Sequence, residues 1–134
     1  INYQTTKSIS IADFPNNAAL VYPQLSNMLS ETIRDQYVRQ TRLQVLTKGG
    51  NLELEGEIVG YELTPMAISE TKLTLTVKVS FTNNVAPEES FERTYSAFQV
   101  FDATKLLTDV QEELCNTMVA EIAENIYNDT VARW

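Results

Sequence analysis

The sequence predicts an α+β fold, a two-layer sandwich with two long helices on one face of a mainly antiparallel sheet of about four to five strands. Three observations carry that expectation. Lys72–Asn83 alternates strictly between apolar and polar residues, the period of a strand with one buried face. Two other segments repeat their apolar residues every three or four positions, the period of a helix. Their order along the chain, β-α-β-β-β-β-α, puts one helix between the first two strands and the other after the last.

The first strand falls at Lys7–Asp13, where Ile9 and Ile11 alternate with Ser8 and Ser10. Phe14-Pro15-Asn16-Asn17 ends it, because proline lacks a donor and the asparagines suit a turn. Pro23 suits the first helical position, where a missing N–H costs nothing. From there Leu25, Met28, Leu29, Ile33 and Tyr37 form one apolar stripe on a helix of about 18 residues. Arg34, Asp35 and Arg39 face water. A short strand, Arg42–Thr47, sets Leu43 and Val45 on one side, and Gly49-Gly50 supplies the positive φ angles of a tight hairpin.

Three long strands follow: Asn51–Thr64, Lys72–Asn83 and Ser90–Val100. In the middle one Leu73, Leu75, Val77, Val79 and Phe81 alternate with Thr74, Thr76, Lys78, Ser80 and Thr82. The one before it starts in phase (Leu52, Leu54, Ile58) and ends out of phase (Val59, Tyr61, Leu63), which predicts a bulge beside Gly60. Asn83, Asn84 and Pro87 turn the chain into the last strand. Thr108-x-x-Gln111 has the pattern of a capping box, and Val110, Leu114, Met118, Ile122 and Ile126 form the stripe of a helix reaching Val131. At ~1.5 Å per residue that helix is roughly 34 Å long, enough to lie along the strands. The β-α-β start should cross over right-handed, with an antiparallel meander after it. Residues 1–134 read as one domain without linker or repeat.

Composition narrows the function. With 43% hydrophobic and 21% charged residues the chain is neither disordered nor low in complexity. Its 18 acidic against 10 basic residues give a net charge of −8, and no basic stripe exists to neutralise phosphates, so no nucleic-acid partner is expected. The absence of histidine removes the commonest general base and nearly all transition-metal sites. The single Cys115 excludes an internal disulfide and, without histidine, has no activating partner; it reads as a packed thiol. We expect no catalytic constellation, no metal site and no cofactor. The longest wholly apolar run, Ala18–Tyr22, is far short of the ~20 residues of a membrane helix. The chain begins at Ile1 rather than Met, which reads as a trimmed mature fragment.

Few residues invite chemistry. Glu53, Glu55 and Glu57 form a carboxylate row on one strand face; a flat row cannot enclose a cation, and a solvated face that discourages edge pairing is the simpler reading. Gly56-x-x-x-Gly60 lacks the Gly-Lys-Ser/Thr ending of a phosphate loop, so close approach of a helix to the sheet is the expected reason for it. The cations Lys72 and Lys78, with Arg42 and Lys48, are the material available for an anionic headgroup. For each, pairing across strands with Glu53, Glu55, Glu57 or Glu92 accounts for it equally well.

Several strings in order resemble a known family. Ser8-Ile-Ser-Ile-Ala-Asp-Phe-Pro-Asn-Asn17 opens the series. Leu52-Glu-Leu-Glu-Gly-Glu-Ile-Val-Gly-Tyr61 and Leu73-Thr-Leu-Thr-Val-Lys-Val-Ser-Phe-Thr-Asn83 follow, then Phe91-Glu-Arg-Thr-Tyr95, Ile126-Tyr127 and the final Trp134. Together they resemble the lipopolysaccharide-assembly lipoproteins of LptE type, in the branch found in Bacteroides-like bacteria. The resemblance implies a non-enzymatic outer-membrane lipoprotein, held on the periplasmic side by an N-terminal lipid that this chain lacks. It implies an outer-membrane β-barrel translocon of LptD type as partner, for which family members act as plug and chaperone, and lipopolysaccharide as the molecule handled. The connection Pro65–Thr71 is shorter than that branch usually carries. No family residue transfers position by position, so Lys72, Lys78, Arg42 and Lys48 stand as headgroup candidates on charge alone. The alternatives are a periplasmic adaptor or binding module of similar topology with no lipid role, and a carboxylate-based enzyme.

Overall fold

The computed structural model describes residues 2–131, so Ile1, Arg133 and the family-like Trp134 lie outside the described residues. The elements are β1 (Ser8–Ile11), α1 (Leu25–Gln40), β2 (Gln44–Leu46), β3 (Leu52–Pro65), β4 (Glu70–Asn83), a 3₁₀ turn (Pro87–Glu89), β5 (Phe91–Asp102) and α2 (Leu107–Thr130). The strands form one mixed sheet in the order β2-β1-β3-β4-β5, parallel from β2 to β3 and antiparallel from β3 to β5.

The alternating residues of β4 do what their period dictates: Leu73, Leu75, Val77, Val79 and Phe81 are buried. Leu52, Leu54 and Ile58 of β3 share that face, and a register shift between Ile58 and Gly60 then returns Tyr61 to it. The phase slip is therefore a bulge, and Val59 is left exposed. Gly56 stands on the buried face, where an added Cβ would press on the Lys78 carbonyl oxygen of β4 and lie 2.7 Å from Cε2 of Phe14. The expectation of a helix at this glycine is corrected: an aromatic ring from the segment after β1 fills the space.

Both helices cover this inner face and run in the same direction. Near their starts, the Tyr22 ring before α1 stacks on Tyr61 at 6.4 Å, and Gln111 of α2 donates to the Tyr61 hydroxyl at 2.6 Å. Near their ends, Tyr37 of α1 is hydrogen-bonded to Thr130 of α2 and meets the Tyr127 ring edge-on at 5.5 Å. Two expected starts are corrected. Pro23 and Gln24 form a turn in which Leu25 N–H donates to Tyr22 C=O at 3.0 Å, and α1 begins only after it. α2 begins at Leu107 without a side-chain cap, because Gln111, the far half of the expected capping box, is turned into the core.

The largest correction concerns Gly49-Gly50. β2 and β3 are not a hairpin; β1 lies between them, parallel to both. The short connection must cross β1 as a strap. Ser10 Oγ accepts from Gly50 N–H and Ser8 Oγ from Asn51 N–H, each at 3.0 Å, so the polar residues of β1 hold the strap down. Of the two glycines only Gly49 has positive φ, at 81°. Gly50 is required for closeness instead: a Cβ there would lie 2.6 Å from Ser10 N. β2 is correspondingly short, and Arg42 precedes it rather than belonging to it.

Candidate functional site

Burying one face of the sheet under both helices leaves the other face open. Glu53, Glu55 and Glu57 of β3 stand on it, beside Lys72, Thr74, Thr76, Lys78, Ser80 and Thr82 of β4. β5 adds Glu92, Thr94, Ser96, Phe98 and Val100, set opposite Ser80, Lys78, Thr76, Thr74 and Lys72. Pro15 and Asp13 rise beside β3, and between that ridge and β5 runs a groove of about 380 Å³ floored by Glu55, Glu57, Lys78 and Glu92. Asn17 Nδ2 donates to Glu57 and Asn84 Nδ2 to Glu53 at 2.8 Å, so side-chain amides orient both ends of the carboxylate row.

The four candidate cations do not form one cluster. Lys72 and Lys78 share the open face, as their even separation requires. Lys78 Nζ is 3.7 Å from Glu92, an exposed pair in which the acid answers the base across strands. Lys72 Nζ sits over the Phe98 ring, 4.5 Å from its centroid. Lys48 rides on the strap above β1, in a hollow lined also by Ser10, Glu53 and Glu55. Arg42 is apart from all of these, its guanidinium 4.4 Å from the Tyr3 ring centroid and its N–H donating to Tyr3 Oη at 3.1 Å.

One feature of the site escapes the sequence reading. Exposed Leu63, Met66 and Ile68 of the β3–β4 hairpin, Phe98 and Val100 of β5, and Leu106 before α2 gather at one end of the domain. Ala103 N–H donates to Ser69 C=O at 2.9 Å and ties the hairpin to the turn after β5. Lys72 stands at the border between this apolar end and the polar face. The available signal was the alternation of β5, where Phe98 and Val100 fall on the face opposite Tyr95 and Ala97.

Nothing buried adds reactive chemistry among the described residues. Burial pushes the Cys115 thiol up from its ordinary range, with the Tyr61 hydroxyl 3.3 Å away pulling slightly the other way. A protonated, enclosed thiol is a core group, as the sequence suggests. No group of acidic or cysteine residues among those described can hold a metal ion.

A family model described as "LptE: Lipopolysaccharide-assembly" matches residues 6–130, nearly the whole chain. No curated protein matches the chain. Among solved structures, rare lipoprotein B from Shewanella oneidensis aligns with TM-score 0.65 at 12% identity, covering 95% of this chain and 96% of that one. A minor lipoprotein from Acinetobacter baumannii aligns with TM-score 0.63 at 15% identity, covering 96% and 95%. At such identities the likeness concerns the fold.

Proposed function

The chain belongs to the LptE family of lipopolysaccharide-assembly proteins, and on that premise we propose that it serves as the small lipoprotein subunit of an outer-membrane lipopolysaccharide translocon. In this reading an N-terminal lipid holds it on the periplasmic side of the outer membrane, and the domain acts as plug and chaperone of an LptD-type β-barrel. Its role is binding and positioning, without catalysis.

The observation that carries the reading is the open sheet face. A protein seated inside a barrel must present polar surface, because the lumen of a large barrel is polar. A face of threonines, serines, carboxylates and lysines meets that demand without a helix in the way. The net charge of −8 opposes any general attraction to lipid A phosphates, so headgroup contact has to be local. Lys72 suits it best: its ammonium group borders the apolar end, where acyl chain and phosphate can be met together. Lys78 lies six residues on, about 20 Å away at ~3.3 Å per residue, so the two lysines serve separate phosphates. Lys48 is the third cation on that face, and Arg42, occupied by Tyr3, contributes least.

Two measurements test this. Full-length protein should co-purify with its barrel partner in the outer-membrane fraction; recovery as free periplasmic protein removes the translocon role. Replacing both Lys72 and Lys78 by Glu should weaken lipopolysaccharide binding at low salt by roughly tenfold or more, about 1.4 kcal/mol. Stability should hardly change, since exposed pairs contribute only ~0–1 kcal/mol. Unchanged binding would leave Lys78 as the counter-ion of Glu92 and Lys72 as the lid of Phe98.

A further inference from the structure

The two edges of this sheet are built very differently. β2, at one edge, is only 3 residues long and is strapped to β1. β5, at the other, runs for 12 residues, and no described residue pairs with its outer side. Long edges are normally blunted by an inward charge, a proline or a bulge, because unpaired N–H and C=O groups template pairing with another chain. β5 has none of these between Arg93 and Asp102: Thr94–Phe101 holds no charge, no proline and no glycine. Its register with β4 is unbroken.

A second observation lies beneath this edge. Leu107, Val110 and Leu114 of α2 are only half-buried. Glu112 and Asn116 line a hollow against Gln24 and Met28 beside α1. At 3.6 residues per turn the three apolar residues stand on the opposite side of α2, turned away from α1 toward the β5 edge. The edge thus offers a free ladder of backbone groups with an apolar shoulder below it.

We propose that the β5 edge is a self-association surface, on which a second copy of the chain lays its own β5 antiparallel across a two-fold axis. The inference goes beyond the lipopolysaccharide-assembly reading and stands independently of it. The two sheets then continue as one, a self-complementary interface of isologous type. A closed barrel has no strand edge to offer, and hydrocarbon cannot satisfy backbone donors and acceptors. The uncharged stretch Thr94–Phe101 pairs most fully with the axis at Ala97 or at Phe98, and the charges of β5 decide between these two registers. Residues directly opposite must share a face, so the axis passes through a residue. An axis at Ala97 sets Glu92 against Asp102, two like charges facing each other. An axis at Phe98 sets Phe98 against its own copy, Ser96 against Val100 and Tyr95 against Phe101, with no like charges opposed. The paired stretch is then the uncharged one. Since each copy carries −8, salt should strengthen the pairing by screening repulsion between the copies.

Sedimentation equilibrium of the 134-residue chain tests the proposal. The average mass should rise from monomer toward dimer between about 10 μM and 1 mM, the range of modest association energies. It should rise further with added salt. Val100→Glu adds a negative charge to each copy beside the axis, set opposite its own Lys72, and should raise the dissociation constant at least tenfold with its denaturant midpoint hardly changed. Phe98→Cys should form an interchain disulfide under mild oxidation, since facing residues bring their Cβ atoms within ~4.5–5.5 Å. The buried Cys115 takes no part. A chain that stays monomeric throughout overturns the proposal. So does a dimer that Val100→Glu leaves intact and Phe98→Cys does not cross-link.

Discussion

Alanine at Gly50 tests the strap that crosses β1. The added Cβ would stand 2.6 Å from Ser10 N, 2.7 Å from Leu52 O and 2.9 Å from Ile9 C. All three are backbone atoms, so no side chain can rotate out of the way. The strap has to lift, and it then loses the bonds from Gly50 N–H to Ser10 Oγ and from Asn51 N–H to Ser8 Oγ. Two such hydrogen bonds contribute ~0.5–1.5 kcal/mol each. Crowding a closely packed contact costs a further ~1–3 kcal/mol. The expected loss is about 2–6 kcal/mol, a large part of the ~5–15 kcal/mol that holds a typical domain folded.

Gly49 is the control. Its φ of 81° is left-handed, but a Cβ there would meet nothing within 4 Å. Gly49→Ala should therefore cost only the ~1–2 kcal/mol of left-handed backbone. Guanidinium unfolding reads both, as a shift of midpoint at constant slope. A third variant ties the loss to the strap. Ser10→Ala alone should destabilise by leaving the buried Gly50 N–H without its acceptor, whereas in the Gly50→Ala background it should add little, because neighbours sharing one contact are not additive. Equal costs at Gly49 and Gly50, or full additivity with Ser10→Ala, would mean that the chain turns here without pressing on β1.

Two further outcomes follow from the core. Tyr37, Tyr61 and Tyr95 all have pKa values raised above the ordinary 10.0, chiefly by burial, so the fold keeps them protonated where the unfolded chain ionises. The stability they contribute should be complete below pH 10 and fall above it, by about 1.4 kcal/mol per pH unit for each tyrosine still neutral in the fold. Unfolding free energies that stay flat from about pH 9 to pH 11 would contradict that enclosure. Tyr61→Phe should cost about 1–3 kcal/mol by denaturant unfolding, because the buried Gln111 amide loses its acceptor. Adding Gln111→Leu should recover part of the loss; no recovery would mean that the amide finds another partner.

The parts of this fold that were legible in the sequence are those decided by local alternation. β4 has a polar residue at every second position because one of its faces is wet, and the swap of apolar phase in β3 is the bulge at Val59 written out along the chain. Strand order was not legible. A glycine pair between two short apolar runs serves a hairpin and a strap equally well, and what decides between them is whether β1, some forty residues earlier, claims the place between β2 and β3. Ser8 and Ser10 carried a hint, since hydroxyls on an otherwise apolar central strand need partners. Thr108 and Gln111 close no capping box for a related reason: Gln111 turns to the buried acceptor on Tyr61, leaving a helix terminus that water can satisfy. The candidate site was half legible. Parity alone puts Lys72 and Lys78 on one face, but only the register shows that Glu92 meets Lys78 and Phe98 meets Lys72. Phe98 thereby belongs to two surfaces at once. It is the floor beneath the lysine best placed for a lipid headgroup and the centre of the one long unguarded edge. The proposed pairing at that edge and the proposed headgroup contact at Lys72 would therefore compete for the same ring, so lipopolysaccharide binding per chain should weaken as the protein concentration rises into the dimeric range.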